Sequence, residues 1–248
     1  MTSTVLPGVL EESETSALRS TLRAVGLLRA IGRLLSTSSA EGPTDPRTYA
    51  ERAARTALTI LRVHGVDVRT TGRVPEGAFV VVSNHVSYLD PLLVASVVPC
   101  VAIAKGETKG WPIVGPGLRA LGVVFVRRGD PYSGALALRH ARRALSSGAS
   151  VLNFPEGTTS DGRSVLPFRR GVFGLAILAR TPILPVRLSF DDDRVPWVGN
   201  AGFAPHYWKL AGVERVTARM RIGEPIDVRS DHDARTLAGH VQAVVASL

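Results

Sequence analysis

The sequence predicts an α/β fold: a mostly parallel β-sheet flanked by helices, in a single catalytic domain that follows an N-terminal amphipathic helical segment. From residue 66 onward, short apolar segments alternate with longer helix-like segments, as expected for strands joined by crossover helices. The chain has 248 residues, 45% of them hydrophobic, which is enough to bury one substantial core. Several apolar segments end in polar turns, the position at which α/β proteins place their chemistry.

The amino-terminal region is predicted to differ from the rest. We expect residues 1–16 to be poorly ordered and residues 18–35 to form an amphipathic helix. One side of this helix is basic and the opposite side is aliphatic. The basic side carries Arg19, Arg23, Arg29 and Arg33, and the aliphatic side carries Ala24, Leu27, Leu28, Ile31, Leu34 and Leu35. This pattern is typical of a segment lying in a membrane interface, although a helix packed on its own domain has the same pattern. Residues 36–46 are predicted to be a linker, so the chain divides into residues 1–43 and a catalytic domain of residues 44–248.

The remaining elements follow from the apolar runs and the residues that interrupt them. Strands are expected at 66–70, 78–83, 101–105, 122–127, 150–154, 183–189 and 215–222. Helices are expected at 46–64, 87–97, 112–120, 132–147, 170–180 and 232–247. Gly65 suits the position after a helix, and His64 before it is interpreted as a surface residue at the helix end.

Composition narrows the classes of function. The single cysteine, Cys100, excludes an internal disulfide and a thiolate zinc cluster, and we expect neither a metal nor a cofactor. The net charge of +9 comes mostly from arginine and favours an anionic partner. Nucleic acid is the weaker choice, because aromatic residues make up only 6% of the chain and no nucleic-acid motif is present. No apolar run reaches the roughly 18 residues that span a bilayer, and we expect no secretory signal.

The turn at residues 83–90 is the strongest candidate for chemistry. It follows the strand predicted at 78–83 and precedes an apolar helix. Ser87 and Asp90 fit a capping box, with Ser87 as N-cap, and this places Asp90 in the first helical turn near His85. In one interpretation Asp90 orients His85, which acts as a general base on a substrate hydroxyl. In the other, Asp90 only caps the helix and His85 has no role.

Two further strand ends carry polar side chains. The strand at 122–127 runs into Arg127, whose guanidinium can bind a phosphate in bidentate fashion. The strand at 150–154 ends in a Pro-Glu-Gly turn, where Glu156 can accept hydrogen bonds and Gly157 allows a ligand close to the backbone. Each stretch alone is also typical of an ordinary surface turn.

Taken together, these stretches resemble the glycerolipid acyltransferases typified by lysophosphatidic acid acyltransferase. That family carries N-H-x-x-x-x-D, G-x-x-F-x-x-R, F-P-E-G-T-[TRS]-S and an apolar V/I-x-P-V/I block. The corresponding stretches here are Asn84–Asp90, Gly122–Arg127, Phe154–Ser160 and Ile183–Val186, in that order. The resemblance covers roughly residues 60–225.

The resemblance implies roles for individual residues. His85 would deprotonate the acceptor hydroxyl, with Asp90 orienting it, and the hydroxyl would attack an acyl thioester without a covalent acyl-enzyme. The residues implied to bind substrate are Asn84, Ser87, Arg127, Glu156, Gly157, Thr158, Arg169 and Arg170. Among them, Arg127 with Glu156 and Gly157 would hold the polar head of the acceptor. The donor would be acyl-CoA or an acyl-carrier protein.

The implied function is transfer of a fatty acyl group to a lysolipid, with 1-acyl-sn-glycerol-3-phosphate as first choice and phosphatidic acid as product. The segment 194–210 also resembles family members that acylate lyso-ornithine lipids, so that acceptor or another alcohol stays open. A non-catalytic lipid-binding protein on the same scaffold is the alternative of a different class. Many family members have hydrophobic membrane helices; this chain has only the Arg-rich helix. We therefore expect a peripheral protein on an anionic surface at the cytoplasmic face of the membrane.

Overall fold

A computed structural model describes residues 7–41, 44–127 and 129–248, and its centre is a seven-stranded sheet. The strands are β1 Val66–Thr71, β2 Val80–Ser83, β3 Cys100–Lys105, β4 Val124–Val126, β5 Ser150–Asn153, β6 Ile183–Phe190 and β7 Val216–Ile222. Their order is β1-β7-β6-β2-β5-β3-β4. The β6–β7 pair is antiparallel and all other pairs are parallel. The predicted mostly parallel α/β fold is confirmed, and each of the seven predicted strands is present.

Eight α-helices connect and cover these strands in the described ranges. They are α1 Pro7–Glu41, α2 Pro46–Val63, α3 Asp90–Val97, α4 Val114–Ala120, α5 Pro131–Ser146, α6 Gly171–Ala179, α7 Phe203–Ala211 and α8 Ala234–Ser247, with a 3₁₀ helix at Gly106–Gly110. Three helices are capped by an aspartate whose carboxylate accepts hydrogen bonds from the backbone N–H groups two and three residues later. These aspartates are Asp45, Asp130 and Asp233. Such caps satisfy donors that the first helical turn leaves unpaired. The sequence did not predict α7, which contains Pro205 in its first turn, where proline is tolerated.

The central strand β2 is apolar on both sides because helices cover both faces of the sheet. Val80 and Val82 belong to the core that α5, α6 and α8 complete, whereas Val81 belongs to the core completed by α2 and α3. The apolar block at Ile183–Val186 lies in the neighbouring strand β6, paired in register with β2. The carboxyl ends of β2, β3, β4 and β5 therefore lie at one edge of the sheet, which we call the catalytic edge.

Helix α1 differs from its prediction in length. It runs without a break through residues 36–41, where a linker was expected, and it includes residues 7–16, which were expected to be poorly ordered. The hydroxyls of Thr37 and Ser39 donate to carbonyls one turn earlier, at Arg33 and Leu35. The hydrogen-bonding needs of these side chains are therefore met within the helix itself. Residues 1–6 and 42–43 of the predicted start and linker lie outside the described residues.

Helix α1 also differs in the direction of its aliphatic side. Ile31 and Leu34 are only 8% and 5% exposed, and they pack over Gly117 of α4. Arg23, expected on the solvent side, is 8% exposed, and its guanidinium donates to backbone carbonyls just after α7, including that of Glu214 at 2.8 Å. The face predicted to enter lipid is thus partly used to dock α1 on its own domain.

None of the helices in the described ranges has the length and apolarity that crossing a bilayer requires. Helix α1 is long enough, with 35 residues, but charged side chains interrupt it throughout.

Candidate active site

The turn after β2 brings His85 and Asp90 together. The Nδ1 atom of His85 lies 2.7 Å from Oδ2 of Asp90, and the same oxygen accepts from the backbone N–H groups of Val86 at 2.5 Å and Ser87 at 2.9 Å. Helix α3 begins at Asp90, later than the predicted residue 87. The reciprocal half of the predicted capping box, from the Ser87 N–H to the Asp90 carboxylate, is nevertheless present.

The hydrogen bond to Asp90 determines which ring nitrogen of His85 can act as a base. A carboxylate accepts, so Nδ1 carries the proton and Nε2 keeps its lone pair. Asp90 is fully buried, whereas the His85 side chain is 22% exposed. Within the described residues, no hydrogen-bond partner occupies Nε2. The arrangement therefore presents a basic nitrogen to solvent and holds its ring from behind.

The Pro-Glu-Gly turn after β5 holds His85 at three further points. The ring of Phe154 stacks on the imidazole, with centroids 4.2 Å apart and an interplanar angle of 17°. The N–H of Ser160 donates to the His85 carbonyl at 2.8 Å, and Glu156 Oε2 accepts from the His85 N–H at 3.2 Å. Because β2 and β5 are neighbours in the sheet, two motifs 71 residues apart in sequence form one unit around His85.

Glu156 is buried rather than open to a ligand. It is 4% exposed, and its second oxygen, Oε1, accepts from the backbone N–H of Leu166 at 3.0 Å. Burial raises the pKa of Glu156 to about 7, although the two amide hydrogen bonds oppose the shift. This geometry favours a positioning role over the predicted contact with the substrate's polar head.

Asn84 and Ser87, also predicted to bind substrate, are both fully buried. The amide of Asn84 joins the end of β2 to β6 through two hydrogen bonds with the backbone of Leu188, at 3.0 and 2.8 Å. The hydroxyl of Ser87 lies 3.4 Å from the N–H of Leu89. Both side chains contact protein, and their geometry favours support of the turn over direct contact with a ligand.

The remaining predicted substrate-binding residues belong to the third motif or follow it in the chain. Thr158, Arg169 and Arg170 are exposed, and Gly157 has a φ of +72°, which a side chain would disfavour. The N–H of Arg169 donates to the carbonyl of Pro155 at 3.0 Å. The backbone of Arg169 is thereby held beside the turn that supports His85, and its side chain is exposed there.

Arg127 lies at the same edge but farther away. It follows β4, and β3 and β5 separate β4 from β2, so at about 4.8 Å per strand it stands roughly 14 Å from the strand that carries His85. Its side chain is 79% exposed, with Asp130 at 3.8 Å. Arg127 can therefore reach only a group that lies some distance along this edge from His85.

Sequence reasoning missed two features of this edge. The first is Lys105, which is exposed at the end of β3, between the strands that lead to Glu156 and Arg127. Its position at the end of a predicted strand could have identified it as a candidate. The second feature, which we call the aromatic cluster, consists of Tyr88, Trp111, Trp197, Phe203 and His206, whose rings contact one another. Its members come from three separated segments, so only the dense aromatics after residue 196 indicated it.

The aromatic cluster is attached directly to the catalytic turn. The N–H of Trp197 donates to the carbonyl of Val86 at 2.9 Å, and the Tyr88 hydroxyl lies 3.2 Å from Nδ1 of His206. Thr159 donates its hydroxyl hydrogen to the Trp197 carbonyl. The half-buried rings thus form a wall beside the turn that holds His85.

A histidine oriented by a carboxylate, with no partner at Nε2 among the described residues and at the carboxyl edge of a parallel sheet, is suited to general base chemistry on a hydroxyl. Residues 61–189 match the family model described as Acyltransferase. This match covers just over half of the 248 residues, and the chain belongs to that acyltransferase family. The predicted resemblance to glycerolipid acyltransferases is confirmed.

Individual relatives agree with this assignment. A lyso-ornithine lipid O-acyltransferase of Pseudomonas aeruginosa is 32% identical over 165 residues, covering 64% of this chain and 64% of the relative. A 1-acyl-sn-glycerol-3-phosphate acyltransferase of Neisseria meningitidis serogroup B is 29% identical over 179 residues, 70% of each chain. The crystal structure of the 1-acyl-sn-glycerophosphate acyltransferase of Thermotoga maritima is 23% identical, with a TM-score of 0.68 over 96% of this chain and 94% of that one. This last likeness supports the fold.

Proposed function

We propose that this protein transfers a fatty acyl group from an acyl thioester to the free hydroxyl of a lysolipid. Nε2 of His85 removes the hydroxyl proton as the oxygen attacks the thioester carbonyl carbon. The tetrahedral intermediate then expels the thiolate, which takes the proton back from Nε2. An ester and a free thiol form, and the enzyme returns to its starting state without a covalent acyl intermediate.

The observation that carries this proposal is the hydrogen bond of 2.7 Å between His85 Nδ1 and Asp90 Oδ2. It selects the tautomer with a basic Nε2, and the buried carboxylate stabilises the imidazolium that forms during proton transfer. A non-catalytic lipid-binding protein has no use for a carboxylate behind a partly exposed imidazole. The same geometry therefore weighs against that alternative.

For the acceptor, we propose 1-acyl-sn-glycerol-3-phosphate, with its phosphate bound by exposed arginines at the catalytic edge. Arg169 is held next to the turn that supports His85, and Arg127 is available for a more distant anion. An arginine fork suits a phosphate because it can donate two parallel hydrogen bonds. The product would be phosphatidic acid, an intermediate of phospholipid synthesis.

One observation favours a lyso-ornithine lipid as the second candidate acceptor. The aromatic cluster borders the catalytic turn, and aromatic faces attract an ammonium group, which ornithine carries, but give no advantage to a phosphate. A relative named for that acceptor is among those that match this chain. The two candidates therefore depend on different parts of the same edge.

A single assay tests the reaction and separates the acceptors. Purified protein is incubated with an acyl thioester and either 1-acyl-sn-glycerol-3-phosphate or a lyso-ornithine lipid, while thiol release and product mass are followed. Arg169→Ala should raise the KM for the phosphate-bearing acceptor about tenfold and leave the donor KM unchanged; Arg235→Ala, on the exposed side of α8, is the matched control. No acceptor-dependent thiol release with any lysolipid would refute the proposed reaction.

We further propose that the protein lies on the cytoplasmic face of an anionic membrane through the outer side of α1. Leu18, Leu22 and Leu28 are 61%, 63% and 48% exposed, and exposed Arg29 and Arg33 follow along that side. An aliphatic stripe with basic neighbours suits a membrane interface. These leucines, rather than Ile31 and Leu34, would enter the lipid.

Vesicle binding tests this attachment. The protein should pellet with vesicles of phosphatidylcholine and phosphatidylglycerol at low salt and be partly released at high salt, because charge attraction to lipid is screened. Leu18→Asp with Leu22→Asp should abolish pelleting, whereas Leu58→Asp, an exposed leucine on α2, should not. Equal pelleting of all variants would show that another surface contacts the lipid.

A further inference from the structure

Helix α5 presents an outer face that combines apolar and cationic side chains. Its inner side buries Ala137, Ala141, Ala144 and Leu145. The side chains directed away from them are Tyr132, Leu136, Arg139, Arg142 and Arg143. Tyr132 is 79% and Leu136 43% exposed. We call these five residues the α5 face; with one helical turn per 3.6 residues, they line one side of a helix about 24 Å long.

The charge of the α5 face is not neutralised by its surroundings. The sequence contains no carboxylate between Asp130 and Glu156. Among the residues that the structure describes, no ion pair involves any of the three arginines. A helix face with three unpaired guanidinium groups around a tyrosine and a leucine is complementary to an acidic surface with an apolar centre.

The α5 face points away from the side that we assign to the membrane. Helix α5 shares its core with α6 and α8, whereas Ala57 and Leu61 of α2 belong to the core on the other face of the sheet. Helix α1 packs outside that second layer, on α2, α4 and α7. A partner on the α5 face would therefore approach from the aqueous side while α1 contacts lipid.

The α5 face also starts at the catalytic edge. Asp130 caps the helix three residues after Arg127, so Tyr132 lies near the edge at which β2 presents His85. A macromolecule bound along α5 could extend a flexible arm from this end of the helix to the imidazole. The cavity beside Arg142 measures about 150 Å³, below the roughly 300 Å³ at which small-ligand sites begin. These features suit a protein surface better than a free cofactor.

We infer that the α5 face docks an acidic acyl-carrier protein that delivers the thioester to His85. This inference rests on the proposed acyl transfer, and it adds the surface at which one of the two implied donors, the carrier-borne thioester, would bind. The arginines attract and orient the acidic carrier, and Tyr132 and Leu136 bury apolar surface at the centre of the contact. The thioester reaches the catalytic edge on the carrier's prosthetic arm.

The test compares two donors that carry the same acyl chain, palmitoyl-CoA and a bacterial acyl-carrier protein loaded with palmitate. Arg139→Glu with Arg143→Glu should raise the KM for the carrier-borne donor at least about tenfold and change the kinetics with palmitoyl-CoA less than about twofold. Arg55→Glu with Arg62→Glu makes the same charge change on an exposed side of α2. This control should leave the kinetics with both donors unchanged.

Direct binding separates this inference from the proposed reaction. Fluorescence anisotropy of labelled carrier protein should show binding to the wild type and to the α2 control, and about tenfold weaker binding to the α5 variant. This readout decides the docking even if thiol release fails with both donors, a result that would refute only the acyl transfer. Absence of carrier binding to the wild type, or equal loss with both donors, would overturn the inference. Vesicle pelleting that depends on Arg139 and Arg143 would also overturn it, in favour of a lipid contact at α5.

Discussion

Two histidines in this protein, His85 and His64, form similar hydrogen bonds through Nδ1 but differ in whether Nε2 has a hydrogen-bond partner. His85 and His64 each donate from Nδ1, to the Asp90 carboxylate and to the carbonyl of Ile60, both at 2.7 Å. At His64, however, Nε2 accepts from the hydroxyl of Tyr207 at 2.9 Å, whereas Nε2 of His85 has no partner among the described residues. His64 is 8% exposed, so the surface position expected from the sequence is wrong.

The difference shows what makes a histidine available for chemistry. His64 follows the last residue of α2 and joins α2 to α7 through its hydrogen bonds with Ile60 and Tyr207. Burial lowers the pKa of His64, and nearby Arg23 adds to the shift, which keeps the imidazole neutral and satisfied. His85 has a negative partner behind the ring and an unoccupied nitrogen in front. One histidine is structural and the other is suited to catalysis.

The largest contrast is expected from removing each imidazole. His85→Ala should lower kcat by about 10²- to 10⁴-fold, the range for loss of a general base, while far-UV circular dichroism stays unchanged. His64→Ala should keep kcat within a few-fold because its ring touches no reacting group. Near-normal turnover of His85→Ala in the thiol-release assay would refute the assignment of the base.

A smaller effect is expected from the carboxylate behind His85. Asp90→Asn should lower kcat by about 10- to 10²-fold, because an amide holds the imidazole less firmly and stabilises the imidazolium less. The acceptor KM should change little, since Asp90 is fully buried and does not reach the substrate. A raised KM with unchanged kcat would indicate that Asp90 shapes binding instead of proton transfer.

Glu156 provides a test of positioning against substrate contact. In Glu156→Gln the NH₂ group cannot accept from a backbone N–H, so one of the two bonds, to His85 or Leu166, is lost. We expect kcat to fall about tenfold with the acceptor KM unchanged, and Glu76→Gln, an exposed carboxylate, to behave as wild type. A selective rise in acceptor KM would support the predicted contact with the polar head.

The pH dependence of the protein's free energy of unfolding should reveal the raised pKa of Glu156. The pKa of Glu156 is raised from 4.5 to about 7, so the folded state binds this proton more tightly than the unfolded state. The contribution of Glu156 to stability is complete below pH 4.5 and is lost as pH rises through 7, by at most about 3 kcal/mol. Urea unfolding across this range should show a shallower decrease for Glu156→Gln. An identical pH dependence in both proteins would contradict the raised pKa.

The smallest effect concerns the structural histidine. Tyr207→Phe leaves the buried Nε2 of His64 without its donor and should lower the free energy of unfolding by about 1 to 2 kcal/mol, with kcat unchanged. Since the pKa of His64 is lowered from 6.5, its contribution is present above pH 6.5 and lost as pH falls below it. Urea unfolding at several pH values measures both. A large fall in kcat would show that α7 also shapes the catalytic turn.

The regular elements of the catalytic domain could be predicted because their signals are local. The seven strands are short apolar runs between turns, and the motif residues follow two of these strands directly. The contact between Glu156 and the His85 N–H could not be predicted, because it depends on β5 pairing with β2. Helix α7 was missed because it is only nine residues long and contains Pro205, although Phe203, Tyr207 and Leu210 recur at helical spacing. Its packing on α1 and the catalytic turn stabilises it.

By itself, the sequence determined the α/β fold and the acyltransferase motifs, and it placed Asp90 near His85, since these depend on periodicity and on residues close together in the chain. That Asp90 hydrogen-bonds to the imidazole was one of two interpretations, and the structure decided between them. Tertiary structure alone decided which side of α1 faces the domain, since Ile31 and Leu34 can bury against Gly117 or against lipid with equal local preference. It also decided that Asn84, Ser87 and Glu156 are buried, because neighbouring strands and loops supply their hydrogen-bond partners. A polar side chain in a motif has the same identity whether it meets substrate or backbone, and only the packing around it distinguishes the two.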